Sequence, residues 1–213
     1  MEPHNPLLEA RLESLHQALD AFSALVDENL RTLLRRLTCD KTVDIKQPLP
    51  SIDELARLTR ERCLLLVARQ QPLAHDLKYA MGALRVGHDY ERVQELAEAL
   101  NKRVARLQGT PIENVIQDMT GVMADILKLH EMVRRTWQRD RKDLSLPDIK
   151  PQVQGISAAI QAGITKIQNE TIETISKGNG SSEMIVDLVL ACRHLKRIAT
   201  LLESVPDELR SFD

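Results

Sequence analysis

From Leu8 to Leu37 apolar residues return every third or fourth position: Leu8, Leu12, Leu15, Leu19, Phe22, Leu25, Val26, Leu30, Leu33, Leu34 and Leu37. That period lays them along one stripe of a single α-helix of about eight turns. A helix this long cannot cover its own stripe, so other helices must. Strands are poor candidates for the task, because aromatics are 2% of the chain and glycines number 8 in 213 residues. Strands favour aromatic and β-branched residues, and glycine marks the turns that sheets need in number.

The remaining segments supply the partners. The stretch from Thr38 to Pro50 is polar and carries Pro48 and Pro50, which breaks the first helix. Ser51 is a candidate N-cap, with Glu54 three residues on as the other half of a capping box. A second helix follows through Leu55, Leu58, Leu65 and Leu66 to about Arg69. Pro72 suits the first turn of a third helix, whose stripe is Leu73, Leu77, Ala80, Met81, Leu84, Tyr90, Val93, Leu96, Ala97, Leu100 and Val104. Gln108-Gly109-Thr110-Pro111 closes it. Ile112, Ile116, Met119, Met123, Ile126, Leu129 and Val133 mark a fourth helix, ending in the basic cluster Arg134, Arg135, Arg139, Arg141 and Lys142. That cluster complements the helix dipole; it could also meet an acidic partner. Val153, Ile156, Ile160, Ile164, Ile167 and Ile172 mark a fifth. After the turn Gly178-Asn179-Gly180-Ser181, a sixth runs from Met184 to about Val205 and stops at Pro206.

The two trios overlay. A shift of 104 sets Leu8, Leu12, Leu15, Leu19 and Phe22 on Ile112, Ile116, Met119, Met123 and Ile126. A shift of 105 sets Leu84, Tyr90, Arg92, Val93, Leu96 and Glu98 on Val189, Leu195, Arg197, Ile198, Leu201 and Glu203. An arginine repeated inside an apolar frame is a better mark of duplication than apolar spacing alone. The expected fold is all-α, two tandem three-helix bundles, one over residues 1–108 and one over 109–213. Short connections make each an up-down-up bundle.

Several function classes fall away. A net charge of −2 is unlike a general nucleic-acid binder. Cys39, Cys63 and Cys192 are odd in number and far apart, which fits free thiols in a reducing compartment. Met1 to Pro6 has no apolar core, so no secretory leader is expected. The longest apolar run, Cys63 to Ala68, is far short of the roughly 20 residues of a membrane span. A cytoplasmic protein is expected, reaching a membrane only through partners. No phosphate-cradling Gly loop, dinucleotide fingerprint, H-E-x-x-H or nucleophile elbow occurs.

One segment could hold a metal. His88, Glu91 and Glu95 lie three and four residues apart on one helix face, with Asp89 beside them. Carboxylates with an imidazole suit a divalent ion such as Fe, Mn or Zn, and carboxylates alone suit Mg. The same acids can equally be solvated and paired with Lys or Arg. A di-iron bundle would need two Glu-x-x-His motifs; only Glu13 to His16 fits one.

The segment Glu61 to Ala97 resembles the signature of the PhoU family. That signature reads A-R-Q-x-P-x-A-x-D-L-R, then an apolar turn or two, then E-R-I-G-D-x-A. Here stand Ala68-Arg69-Gln70-Gln71-Pro72-Leu73-Ala74-His75-Asp76-Leu77-Lys78, and then Glu91-Arg92-Val93-Gln94-Glu95-Leu96-Ala97. Arg69, Gln71, Pro72, Asp76, Leu77 and Arg92 carry the likeness. The family's E-x-x-x-D metal motif falls on Glu91 and Glu95, with Glu in place of Asp. Its second-repeat counterpart falls on Lys196 and Thr200, neither of them a carboxylate.

The resemblance implies a non-enzymatic regulator of phosphate uptake and starvation signalling. It needs no cofactor, forms a homodimer, and contacts a transporter ATPase subunit and a sensor histidine kinase through helical surfaces. An accessory to another phosphate or cation transporter and a metal-binding bundle are the other readings.

Overall fold

The computed structural model describes residues 6–38, 44, 48–70, 74–108, 110, 112–135, 146–178 and 180–209. The described residues form six helices: α1 (Pro6–Leu37), α2 (Asp53–Gln70), α3 (Ala74–Leu107), α4 (Glu113–Arg135), α5 (Leu146–Ser176) and α6 (Ser182–Leu209). There is no strand among them.

The helix ends follow local chemistry. Pro6 opens α1, where its missing N–H costs nothing, and Glu9 in the first turn with Arg35 and Arg36 in the last complement the helix dipole. The Ser51 hydroxyl accepts the Asp53 N–H at 3.2 Å and starts α2. Glu54 does not complete the expected capping box; it takes Arg57 instead, at 2.6 Å. Gly178, at φ 70°, closes α5, its N–H donating to the Ile175 carbonyl at 2.9 Å. Ser181 caps α6 by accepting the Met184 N–H at 3.2 Å.

Two boundaries depart from the expectation. Pro206 lies inside α6 rather than ending it. Only three residues follow it in the helix, so the lost backbone bond disturbs little, and its ring is buried against the start of α5 beside Ile149 and Val153. α5 likewise begins before Pro151 and carries it in its second turn. Gly109, Pro111, Asn179 and Cys39 lie outside the described residues, as do the basic positions 139, 141 and 142.

α1, α2 and α3 pack on one another, and α4, α5 and α6 do the same. The hydrogen bonds fix the directions. Arg11 of α1 reaches the Leu65 carbonyl of α2 at 3.2 Å, so these two run antiparallel. His16 meets Tyr79 at 3.1 Å and Asn29 meets Gln94 at 2.7 Å, so α1 and α3 run parallel. The first trio is thus the up-down-up bundle that the sequence predicts.

The trios join through α3 on α6 and α1 on α4, the former being the most extensive helix pair in the molecule. Leu15, Leu19, Phe22, Tyr90, Met119 and Met123 are fully buried and belong to one core that runs through both trios. Each fully buried Leu or Phe side chain contributes roughly 1.5–3 kcal/mol. α3 and α6 are antiparallel: Asp89, near the middle of α3, meets Ser204, late in α6, at 3.3 Å. Arg106, late in α3, grips Asp187, early in α6, with two bonds of 2.7 and 2.8 Å. Helices that correspond in the repeat therefore run in opposite directions, which relates the two halves by a two-fold rotation across the helices.

Some stripe residues fall outside the core. Leu65, Leu77 and Met81 at one end, and Ile172, Val186 and Val189 at the other, are 38–60% exposed. They sit on outward faces of the α2–α3 and α5–α6 hairpins, next to buried neighbours such as Leu66 and Ala80.

Candidate functional site

α3 presents its outward face to the segment that leads into α2. Between them lies a groove of about 800 Å³, lined by Ser51, Asp53, His88, Glu91, Glu95 and Glu98 among others. The segment is held against α3 by Glu98, which accepts the Leu49 N–H at 2.7 Å. It is held again by Asn29 and Gln94, whose amides donate to the Pro50 carbonyl at 3.0 and 3.3 Å.

The candidate metal ligands are distributed unevenly around this groove. Glu91 accepts a bond from Arg60 of α2 at 2.6 Å, and its other oxygen is 3.8 Å from His88 Nδ1. Glu95 is paired with Arg92 one turn back. Asp89 points the other way, to Ser204 of α6, and burial pushes its carboxyl above the usual range. Among the described residues no three His, Cys, Asp or Glu side chains are gathered as a metal ion would need. Hard cations prefer about six oxygen ligands, and here arginines occupy the carboxylates. As arranged, His88, Asp89, Glu91 and Glu95 do not fit a metal shell.

The other signature positions divide likewise. Asp76 is half-buried in the first turn of α3, and Leu77 is exposed. The Arg69 side chain, Gln71 and Pro72 lie outside the described residues. Arg92 lines the acidic groove and also a second pocket, between α3 and α6.

Two polar clusters between the trios have no signature in the sequence. In the first, His130 of α4 is fully buried, with Nδ1 3.4 Å from Asp27 of α1. Asp27 also takes Arg31 at 2.6 Å. Tyr90 of α3 sets its ring edge-on to His130 at 5.6 Å and leans on Phe22 at 5.5 Å. Desolvation opposes the charge on Asp27, but His130 and Arg31 outweigh it and hold its carboxyl at about 2. Burial pushes His130 below its usual range, so the ring is neutral at pH 7 and Nδ1–H donates to the carboxylate. In the second cluster, Arg103 and Arg106 converge on Asp187, whose carboxyl the Arg106 bond holds below the usual range. Both clusters pair residues about 80 to 100 positions apart, a distance at which helical period carries no signal. Cys63 and Cys192 are free and buried, and desolvation pushes their thiols up to about 12 and about 11. They are inert core residues.

Comparison with known proteins places this arrangement. A family model described as the PhoU domain matches residues 7–104, which is α1 to α3. The chain is 22% identical over 205 residues to the phosphate-specific transport system accessory protein PhoU homolog 1 of Thermotoga maritima, covering 94% of this chain and 86% of that one. The PhoU homolog of Archaeoglobus fulgidus is 20% identical over 201 residues, covering 93% and 90%.

Residues 7–104 thus match a PhoU domain, and nearly the whole chain is similar to PhoU homologues.

The crystal structure of PhoU from Pseudomonas aeruginosa superposes with a TM-score of 0.80 at 18% identity, covering 94% of this chain and 96% of that one. The PhoU fold therefore extends over α4 to α6 as well, although the family model stops at residue 104. Lys196 and Thr200 lie in the half beyond the family model's match.

Proposed function

We propose that this protein is a PhoU-type, non-enzymatic regulator of phosphate uptake and of phosphate-starvation signalling. It works by docking helical surfaces on the ATPase subunit of a phosphate transporter and on a sensor histidine kinase. The observation that carries this reading is the near full-length likeness to accessory proteins of phosphate-specific transport systems.

The hairpin ends support docking. Leu64, Leu65, Leu77 and Met81 leave an apolar surface at the end of the first trio, and burying it on a partner would release its hydration water. No described helix is long and apolar enough to cross a membrane, so a membrane transporter is reached through its peripheral subunit. The protein acts as a homodimer, which light scattering at micromolar concentration tests.

Copurification with the ATPase subunit tests the docking. The Leu65→Glu, Met81→Glu double variant should lose the subunit while keeping its helical circular dichroism, because both side chains are already exposed. Failure of the wild-type protein to retain the subunit, or undiminished retention by the variant, would contradict the reading.

A further inference from the structure

The pocket between α3 and α6 has a composition that docking does not use. It measures about 390 Å³ and is lined by Arg92 and Leu96 of α3 and by Leu190, Arg193, His194, Lys196, Arg197 and Thr200 of α6. Four of these eight side chains are permanently cationic, and none is a carboxylate. On α6, Arg193, Lys196, Arg197 and Thr200 fall at i, i+3, i+4 and i+7, one face of the helix. Arg92 arrives from the facing helix. It is the repeat counterpart of Arg197, so the internal two-fold brings the two copies of one arginine into a single pocket.

Most of this charge is left without an ion pair within the fold, although Arg197 acts on Asp89 at longer range. Arg92 shares its guanidinium with Glu95. Among the described residues, no carboxylate lies within ion-pair distance of Arg193, Lys196 or Arg197. All three are exposed, and like charges held this close repel. His194 registers the field: desolvation first, and then Arg103, Arg193 and Arg92, lower its affinity for a proton.

We propose that this pocket binds a phosphorylated small molecule of about nucleotide size. The guanidinium groups match the oxygen pairs of a phosphate. The Thr200 hydroxyl adds a donor, and Leu96 and Leu190 offer an apolar floor for the body that carries the phosphate. The volume falls within the range of small-ligand pockets, roughly 300–1,000 Å³. A concave site of that size favours a small ligand over an acidic polypeptide, which would spread along exposed charge. This inference does not depend on the docking reading.

Isothermal titration calorimetry of the purified full chain at low ionic strength tests it, with inorganic phosphate, diphosphate, AMP and ATP as separate probes and polyglutamate as a comparison. The expected result is saturable binding of at least one phosphorylated probe, weakened about tenfold or more in the Arg193→Ala, Arg197→Ala double variant. Lys128→Ala on α4 should leave binding unchanged. Binding of all four probes at similar strength would identify free phosphate as the recognised group, whereas preference for AMP and ATP would place the nucleoside on Leu96 and Leu190. Both variants alter exposed side chains, so thermal unfolding should confirm that they remain folded. The NMR signals of the His194 ring should shift with the probe in the wild-type protein. Absence of saturable binding by every phosphorylated probe, equal binding by the double variant, or stronger binding of polyglutamate than of any phosphorylated probe would overturn the proposal.

Discussion

On α3, Glu91 and Glu95 face a groove that also holds Asp53 and Glu98. On α6 the residues that correspond to them, 105 positions later, are Lys196 and Thr200, with Arg193 and Arg197 beside them. The helices carrying these faces are antiparallel partners in one core, and their inward sides have kept the same apolar frame. The inward sides are bound by packing, which tolerates little change. The outward sides are bound by nothing but solubility and whatever they meet. A duplicated scaffold can therefore carry an acidic face and a basic face without cost to the fold, and the basic one lies in the half outside the family model's match.

This contrast predicts that inward polar contacts dominate stability while outward charges change binding alone. The largest effect belongs to Asp187, which joins both Arg103 and Arg106 across the α3–α6 seam. Asp187→Ala should cost about 2–3 kcal/mol, below the value for a fully buried pair because Arg106 is half exposed. Urea unfolding measures it; a loss no larger than that of an exposed pair such as Arg57–Glu61 would break the contrast.

A smaller effect belongs to His130. Replacing it by Gln should cost about 1–2 kcal/mol, from the altered bond to Asp27 in a dry site. The pH dependence carries a sign. The unfolded ring takes a proton near its ordinary value of about 6.5, which the buried ring resists. Wild-type stability should therefore fall as pH drops below about 6.5, and the variant should lose that part of the slope. Asp27 acts lower: its contribution is present above its ordinary range near 4 and is lost as pH falls towards about 2. Equal slopes between pH 7 and 5 in the two proteins would show that His130 is not the group responsible.

The smallest effect belongs to the acidic face. The Glu91→Ala, Glu95→Ala double variant should unfold within about 0.5 kcal/mol of the wild type, because both glutamates are in solvent-screened pairs with arginines. Since those arginines hold the carboxylates, manganese added in excess should not survive gel filtration. One manganese per chain retained by the wild type and lost by the double variant would establish a metal site on this face.

The helices were legible in the sequence because their period is written locally, in Leu12, Leu15, Leu19 and Phe22 and in their counterparts Ile116, Met119, Met123 and Ile126. The repeated arginine was legible too, as Arg92 and Arg197. Its consequence was not, because the antiparallel docking of α3 on α6 is what turns equivalence into proximity. The exposed Leu65, Leu77 and Met81 belong to the apolar stripes yet lie outside the core for a related reason: a broad stripe does not say which of its edges the neighbouring helices cover, and Leu66 and Ala80 beside them are the buried ones. Glu91 and Glu95 stood at ligand spacing, and the spacing was real. Arg60, which closes on Glu91 from another helix, had no sequence signal. His130 and Asp27 are a pair only through the contact of α1 with α4.

Phosphate handling in a strain deleted for this gene tests the regulatory role most directly. Uptake of radiolabelled phosphate and expression of starvation-induced genes would be measured in high and in low phosphate, with and without the gene restored. Deletion should misregulate uptake or starvation-gene expression, and the restored gene should correct it. Uptake and expression unchanged by deletion in both conditions would contradict it.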